Sequence, residues 1–205
     1  DYQFSDLTNF ELTFCISLWN QLKRIKIFPD TIKLIRVRHQ TERAVTVHAA
    51  YLHSDIFLEI IGDNSGKYSL FLQDLVQSLN LENQVLFLGK QSDVRPFLAN
   101  ADLYVIPSKK EGMPMALVEA MAMQIPVLGS EISGINYVLK EFKELMFESN
   151  NEQMLSLKIS EMYNKMPHER ELIARNLRNY CETHFSLNSF ISAHESLYFK
   201  LAEKQ

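Results

Sequence analysis

From Ile56 onward the chain alternates short apolar runs with amphipathic ones, and this alternation restricts the fold more than any other feature. Ile56–Ile61 (IFLEII) reads as a buried strand, with Gly62-Asp63-Asn64 turning the chain after it. Tyr68, Phe71, Leu72, Leu75, Val76 and Leu79 then recur at helical spacing. Further strands are predicted at Val85–Leu88 (closed by Gly89), Leu103–Ile106 and Pro126–Leu128. Helices are predicted around Asp93–Ala99 and from Pro114. After Glu148 the pattern is helical to the end, with runs at Glu152–Asn164, Pro167–Thr183 and Leu187–Ala202. Earlier in the chain Phe10–Leu18 reads as a strand, Trp19–Asp30 as a loop and Gln40–Leu52 as a helix. Thr31–Arg38 is ambiguous, because it alternates like a strand yet follows Pro29-Asp30, a helix-start signal. Strands separated by helices give an α/β fold: a Rossmann-like parallel sheet with helices on both faces and a helical C-terminal tail. Residues 1–185 are expected to form one nucleotide-binding unit and residues 186–205 a terminal helix. Such sheets bind ligands beyond the carboxyl ends of their strands, so the loops after Leu18, Ile61, Leu88, Ile106 and Leu128 are the ones of interest.

A chain of 205 residues, 46% hydrophobic and 22% charged, can bury a core without disulfides or metals. Its net charge of -4 provides no field to recruit nucleic acid. Lys23, Arg24, Lys26, Lys33, Arg36, Arg38 and Arg43 do make the beginning basic, which suits a solvated face or an anion site. Two distant cysteines, Cys15 and Cys181, suggest no disulfide framework and a reducing compartment. The histidines show no metal-ligand spacing, and no metal or cofactor is expected. Gly112–Ser130 carries one formal charge, Glu119, but Pro114, Gln124, Pro126 and Gly129 argue against a membrane span. No G-x-G-x-x-G follows any strand, which disfavours a dinucleotide oxidoreductase.

The chemistry concentrates in Ile106–Ser130, IPSKKEGMPMALVEAMAMQIPVLGS. Pro107 ends a buried strand, and Gly112 permits backbone geometry that other residues resist. Pro114 suits the first helical position. The first-turn amides and the helix dipole then favour an anion such as a phosphate. Glu119 sits on an otherwise apolar helix. It either faces solvent or is kept ionised by hydrogen-bond donors, for which a ribose diol is suitable. Glu111, just before the helix, either complements the dipole or stands beside a bound diphosphate, within reach of a sugar.

Glu111-Gly-Met-Pro-Met-Ala-Leu-Val-Glu119, followed by Ala120-Met121-Ala122, resembles the E-x7-E motif of retaining GT-B glycosyltransferases, especially glycosyltransferase family 4. Ala101–Ser108, Ile125-Pro126-Val127 with Gly134, Ile60–Asp63, Val85–Gly89 and Tyr180–Tyr198 resemble the family's flanking segments in the same order. The resemblance implies the donor-binding half of a GT-B fold, with the acceptor-binding N-terminal domain absent from this sequence. It implies that Glu119 binds the nucleotide ribose and that Glu111 contacts the donor sugar and serves transfer. Backbone at Gly112, Met113, Pro114 and Met115 would surround the sugar and diphosphate, and Gly62 would join the donor site. The base would lie against Gly89–Val94. The partners implied are a nucleotide-sugar and, through the other domain, a glycan or lipid-linked acceptor. The expected location is the cytoplasm, at the inner face of the membrane. The family's first loop carries an Arg, then a Lys five residues later, to clamp the diphosphate. With Lys23 as the Lys, the Arg position falls on Leu18; with Arg24 or Lys26 it falls on Trp19 or Gln21. Lys23 and Arg24 are therefore assigned to the donor site without that Arg, with Lys26 and Lys109 as other substitutes. A second departure is Tyr137, where the family often has Glu. A donor-sensing domain without catalysis is the alternative reading.

Overall fold

The computed structural model describes residues 32–37, 56–62, 64–65 and 67–203. The strand expected at Phe10–Leu18, the loop after it, the helix expected at Gln40–Leu52, Cys15, Lys23 and Arg24 lie outside the described residues. Among the described residues, six parallel strands form one sheet in the order β3-β2-β1-β4-β5-β6. They are β1 (Ile32–Val37), β2 (Ile56–Ile61), β3 (Val85–Gly89), β4 (Leu103–Ile106), β5 (Val127–Ser130) and β6 (Met146–Phe147). The ambiguous stretch is thus a strand, and a central one. Ile32–Val37 runs in register with Ile56–Ile61, while Leu34 and Ile35 pair with Leu103 and Tyr104. All four residues of β4 and of β5 are buried, so their sequences read as continuous apolar runs rather than alternating ones.

The order reverses direction between β1 and β4. A switch of this kind in a parallel sheet leaves a crevice beyond the carboxyl ends of the two strands. The described helices are α1 (Lys67–Ser78), α2 (Arg95–Ala99), α3 (Met115–Ala122), α4 (Ser133–Val138), α5 (Glu152–Tyr163), α6 (Pro167–His184) and α7 (Leu187–Ala202). In α1 the buried face is Ser69, Leu72 and Val76, flanked by half-buried Leu75, with half-buried Leu79 just past its end. Phe71, expected in that face, is 53% exposed and lies beyond its edge.

α5 and α7 start at side-chain caps: Asn151 accepts from the Met154 amide at 2.9 Å and Ser186 from the Ser189 amide at 3.3 Å. α6 packs on α3 through Ala174, Leu177 and Cys181, one stripe at helical spacing. The Cys181 thiol points at the Val118 carbonyl, 3.6 Å away. Burial pushes this thiol from 9.0 up to about 12. Its neutral form is favoured in the fold, so its contribution to stability is complete below pH 9.0 and is lost as pH rises toward about 12. A thiol reagent at pH 8 should leave Cys181 untouched in a folded Cys15→Ser variant and modify it once denaturant unfolds the chain. Rapid labelling of the folded protein would contradict this packing. α7 differs from α6: it has no buried residue and exposes Phe190, Ile191, Leu197, Tyr198 and Leu201. No described helix is long and apolar enough to cross a membrane.

Candidate functional site

Four strand ends build the site. β4 delivers its chain into the loop 107–114, which returns as α3. β5 ends beside it at Ser130, and α4 starts three residues later at Ser133. β2 and β3 end in two linked glycine turns.

The loop after β4 is fixed from both sides. Ser108 is 1% exposed, and its hydroxyl donates to Glu111 Oε1 at 2.8 Å. The Ser130 hydroxyl, fully buried, donates to the Ser108 carbonyl oxygen. On the backbone side stands Gly134. A Cβ there would lie 2.6 Å from the Glu111 carbonyl oxygen and would also run into the Gly112 carbonyl. The position of the Glu111 carboxylate is therefore set by β5 and α4 as well as by its own loop.

Two sequence expectations change here. Pro114 is the N-cap of α3, with φ −78° and ψ 79°, and not its first helical residue. Its carbonyl accepts the Leu117 amide at 2.9 Å, so the proline opens the helix as an acceptor. Gly112 does not adopt a positive φ. What it supplies is room: a Cβ at Gly112 would meet no atom within 4 Å. The Met115 amide is taken by the Met113 carbonyl at 2.9 Å. Among the described residues, the amides of Gly112, Met113 and Ala116 have no hydrogen-bond partner. These donors and the dipole of α3 make the loop suited to an anion.

Along α3, Leu117, Val118, Ala120, Met121 and Ala122 are buried. Met115, Ala116 and Glu119 are half-buried and share the remaining face, since 115 and 119 are one turn apart. Glu119 therefore lies on the side of the helix that is not packed into the core.

The turns after β2 and β3 are tied together. The Gly62 amide donates to the Gly89 carbonyl at 2.9 Å. With its amide oriented to satisfy both partners, Asn64 donates to the Gly62 carbonyl at 3.2 Å and accepts from the Gly89 amide at 3.0 Å. Gly62 (φ 143°) and Gly89 (φ 70°) hold backbone conformations that side chains disfavour. Beyond Gly89, Asp93 accepts a fork from Arg95, with Nε at 2.7 Å and Nη2 at 2.8 Å. This bond holds the Asp93 carboxyl below the usual carboxylate range, against the opposing effect of burial. Val94, half-buried, caps α2 by accepting the Leu98 amide at 3.0 Å. Tyr137, on α4, is 63% exposed with its ring edge against Phe185. A cavity of about 270 Å³ between α1 and β3, lined by Gln73, Val76, Gln77, Glu82, Val85 and Phe87, includes none of these residues.

Two carboxylates thus flank an anion-suited helix start at the carboxyl end of a parallel sheet. A family model described as "Glycosyl transferases group 1" matches residues 31–179. The chain belongs to this family. The match starts next to β1, so the sheet described above is the family's own domain, the C-terminal half of a GT-B glycosyltransferase. Among curated relatives, the chain is 41% identical over 86 residues to N-acetyl-alpha-D-glucosaminyl L-malate synthase of Bacillus anthracis, covering 42% of this chain and 22% of that one. It is 38% identical over 74 residues to the Escherichia coli UDP-Gal:alpha-D-GlcNAc-diphosphoundecaprenol alpha-1,3-galactosyltransferase, covering 36% of this chain and 19% of that one. The crystal structure of a glycosyltransferase from Rickettsia africae ESF-5 superposes with a TM-score of 0.78 at 20% identity, over 98% of this chain and 54% of that one. The chain therefore spans about half the length of that structure.

The sequence had singled out Glu111, Glu119 and the residues between them, and these share one helix start. It had not singled out Ser108 or Ser130 as site residues. The signal was present only as Ser at the ends of two neighbouring apolar runs.

Proposed function

We propose that this chain binds a nucleotide-diphospho-sugar and, within the whole protein, transfers the sugar with retention of configuration to a glycan or lipid-linked acceptor. The observation that carries this reading is the pair Glu111 and Glu119 on either side of the α3 start, with Glu111 held by Ser108. In this reading Glu119 accepts from the ribose hydroxyls, and Glu111 accepts from a hydroxyl of the donor sugar. The loop amides of Gly112 and Met113, with that of Ala116, meet the diphosphate. The tied turns at Gly62 and Gly89, with Val94, border the base. The E. coli relative's name specifies a UDP-sugar donor and a diphosphoundecaprenol-linked acceptor. By that analogy uridine is the first base to test and an acceptor at the inner membrane face is the first location.

The diphosphate clamp is reassigned. The chain leaves β1 at Val37, beside β4, and the next residue is Arg38, with Arg43 five positions later. This matches the Arg-then-Lys spacing of the family's first loop, with Arg in the second place. We assign the clamp to Arg38 and Arg43 rather than to Lys23 and Arg24, which precede the matched span. A guanidinium offers phosphate a rigid fork of donors. Together with the loop amides, these charges stabilise the leaving diphosphate electrostatically, and the reading requires no resident metal. In this reading both clamp positions are filled, which favours a catalytic domain over a degenerate one.

A calorimetric panel of UDP-, GDP- and ADP-sugars tests the donor site. One nucleotide should bind preferentially to the full-length protein and more weakly to this chain alone, which should transfer little sugar. Glu119→Ala should weaken that binding at least tenfold, equivalent to about 1.4 kcal/mol, within the range for a hydrogen bond to a charged group. Equal affinity of variant and parent would remove Glu119 from the site.

A further inference from the structure

We propose that Ser108 is a positioning residue for the donor sugar: its buried hydroxyl turns the Glu111 carboxylate so that Oε1 faces inward and Oε2 is left to receive a sugar hydroxyl. The proposal rests on the donor-site reading above and adds to it the device that aims the carboxylate.

A serine hydroxyl has one proton to donate. At Ser108 that proton goes to Glu111 Oε1 at 2.8 Å, and the residue is 1% exposed, so water competes little for it. Ser108 cannot easily swing away. Its carbonyl accepts the hydroxyl of Ser130, which is fully buried at the end of the neighbouring strand, and the same hydroxyl lies 3.4 Å from the Ile106 carbonyl. The two serines thus cross-link the carboxyl ends of β4 and β5. Gly134 holds the Glu111 backbone from the other side. With its main chain and one oxygen fixed, the carboxylate has one oxygen and one direction left. An acceptor fixed in this way suits a hydroxyl that must be met at a defined place, which is what transfer chemistry demands.

A bond serving only the loop's shape would have different consequences. If it acted only on shape, removing the hydroxyl would lower stability and leave kcat and nucleotide-sugar affinity of the folded protein unchanged. If it aims Glu111, kcat and nucleotide-sugar affinity fall, and that loss disappears with Glu111. The experiment is a cycle of Ser108→Ala, Glu111→Ala and the double variant in the full-length protein. Ser108→Thr, which keeps the hydroxyl, is the rescue. Two readouts are taken: kcat against KM, and calorimetric affinity for UDP-, GDP- and ADP-glucose relative to UDP, GDP and ADP. Ser108→Ala should lower kcat about tenfold or more and weaken the nucleotide-sugar without weakening the bare nucleotide. Ser108→Thr should recover most of the loss, and adding Ser108→Ala to Glu111→Ala should change either readout less than about twofold. Wild-type kcat and affinity in Ser108→Ala, or equal losses with and without Glu111, would overturn the proposal while leaving the donor site intact. Full activity in Glu111→Ala, or no binding of any of the nucleotides, would overturn the donor-site reading and this proposal with it.

Discussion

Glu111→Gln in the full-length protein lowers kcat about 10²- to 10³-fold, the loss found when one electrostatic contact to a transition state is removed. The substitution is nearly isosteric. A glutamine can still accept the Ser108 proton through its Oε1, so the loop keeps the 2.8 Å bond that holds it. What disappears is the charge on the oxygen facing the sugar. The loss should therefore appear in kcat, with the melting temperature unchanged and nucleotide binding nearly so. A wild-type kcat would remove Glu111 from the chemistry, and a collapse in stability would recast it as a structural residue.

The second large effect is at Gly134. An added Cβ would meet the Glu111 carbonyl oxygen at 2.6 Å and the Glu111 carbonyl carbon at 3.0 Å. These are backbone atoms, so no side chain can rotate out of the way and the Glu111–Gly112 loop must move. Overpacking of this kind costs about 1–3 kcal/mol. For a domain of this size that is a drop in Tm of roughly 2–12 °C. Because the displaced atoms belong to Glu111, Gly134→Ala should also lose most of its transfer activity at temperatures where it is still folded. Gly112→Ala is the matched control. It has no positive φ and no atom within 4 Å of an added Cβ, so its Tm should be unchanged. Equal Tm values for parent and Gly134→Ala would show that the loop is not pinned there.

Long periodic elements were readable from sequence because their signal is local. The terminal helix was expected at Leu187–Ala202 and lies there, and the run from Tyr68 to Leu79 is the helix Lys67–Ser78. β2 and β4 match their expected bounds as well. The elements that escaped are short. Ser133–Val138 has six residues and no side-chain cap, and Met146–Phe147 is a strand only because it pairs with Gly129 and Ser130. Neither is long enough to show a period. Ile32–Val37 was ambiguous because a helix-start signal preceded an alternating run, and partners on both sides decided it. The clamp proposed at Arg38 and Arg43 depends on the same point, because Arg38 is the residue next after that strand.

At the site, Glu111 and Glu119 were readable because their spacing is along one segment. The contacts that hold Glu111 were not. Ser130 reaches Ser108 across two strands, and Gly134 reaches Glu111 across the turn of a helix, distances that no local pattern encodes. Gly112 was expected to relieve backbone strain and instead leaves space beside the loop.

The most direct test of the account is an NMR titration of the isotopically labelled protein with UDP-glucose, following backbone amides. Shifts should concentrate at the amides of Gly62, Gly89, Val94, Gly112, Met113, Ala116 and Glu119, and be abolished by Glu119→Ala. Shifts confined to Gln73, Val76, Gln77 and Glu82, around the cavity between α1 and β3, would contradict it and place the ligand elsewhere on the sheet.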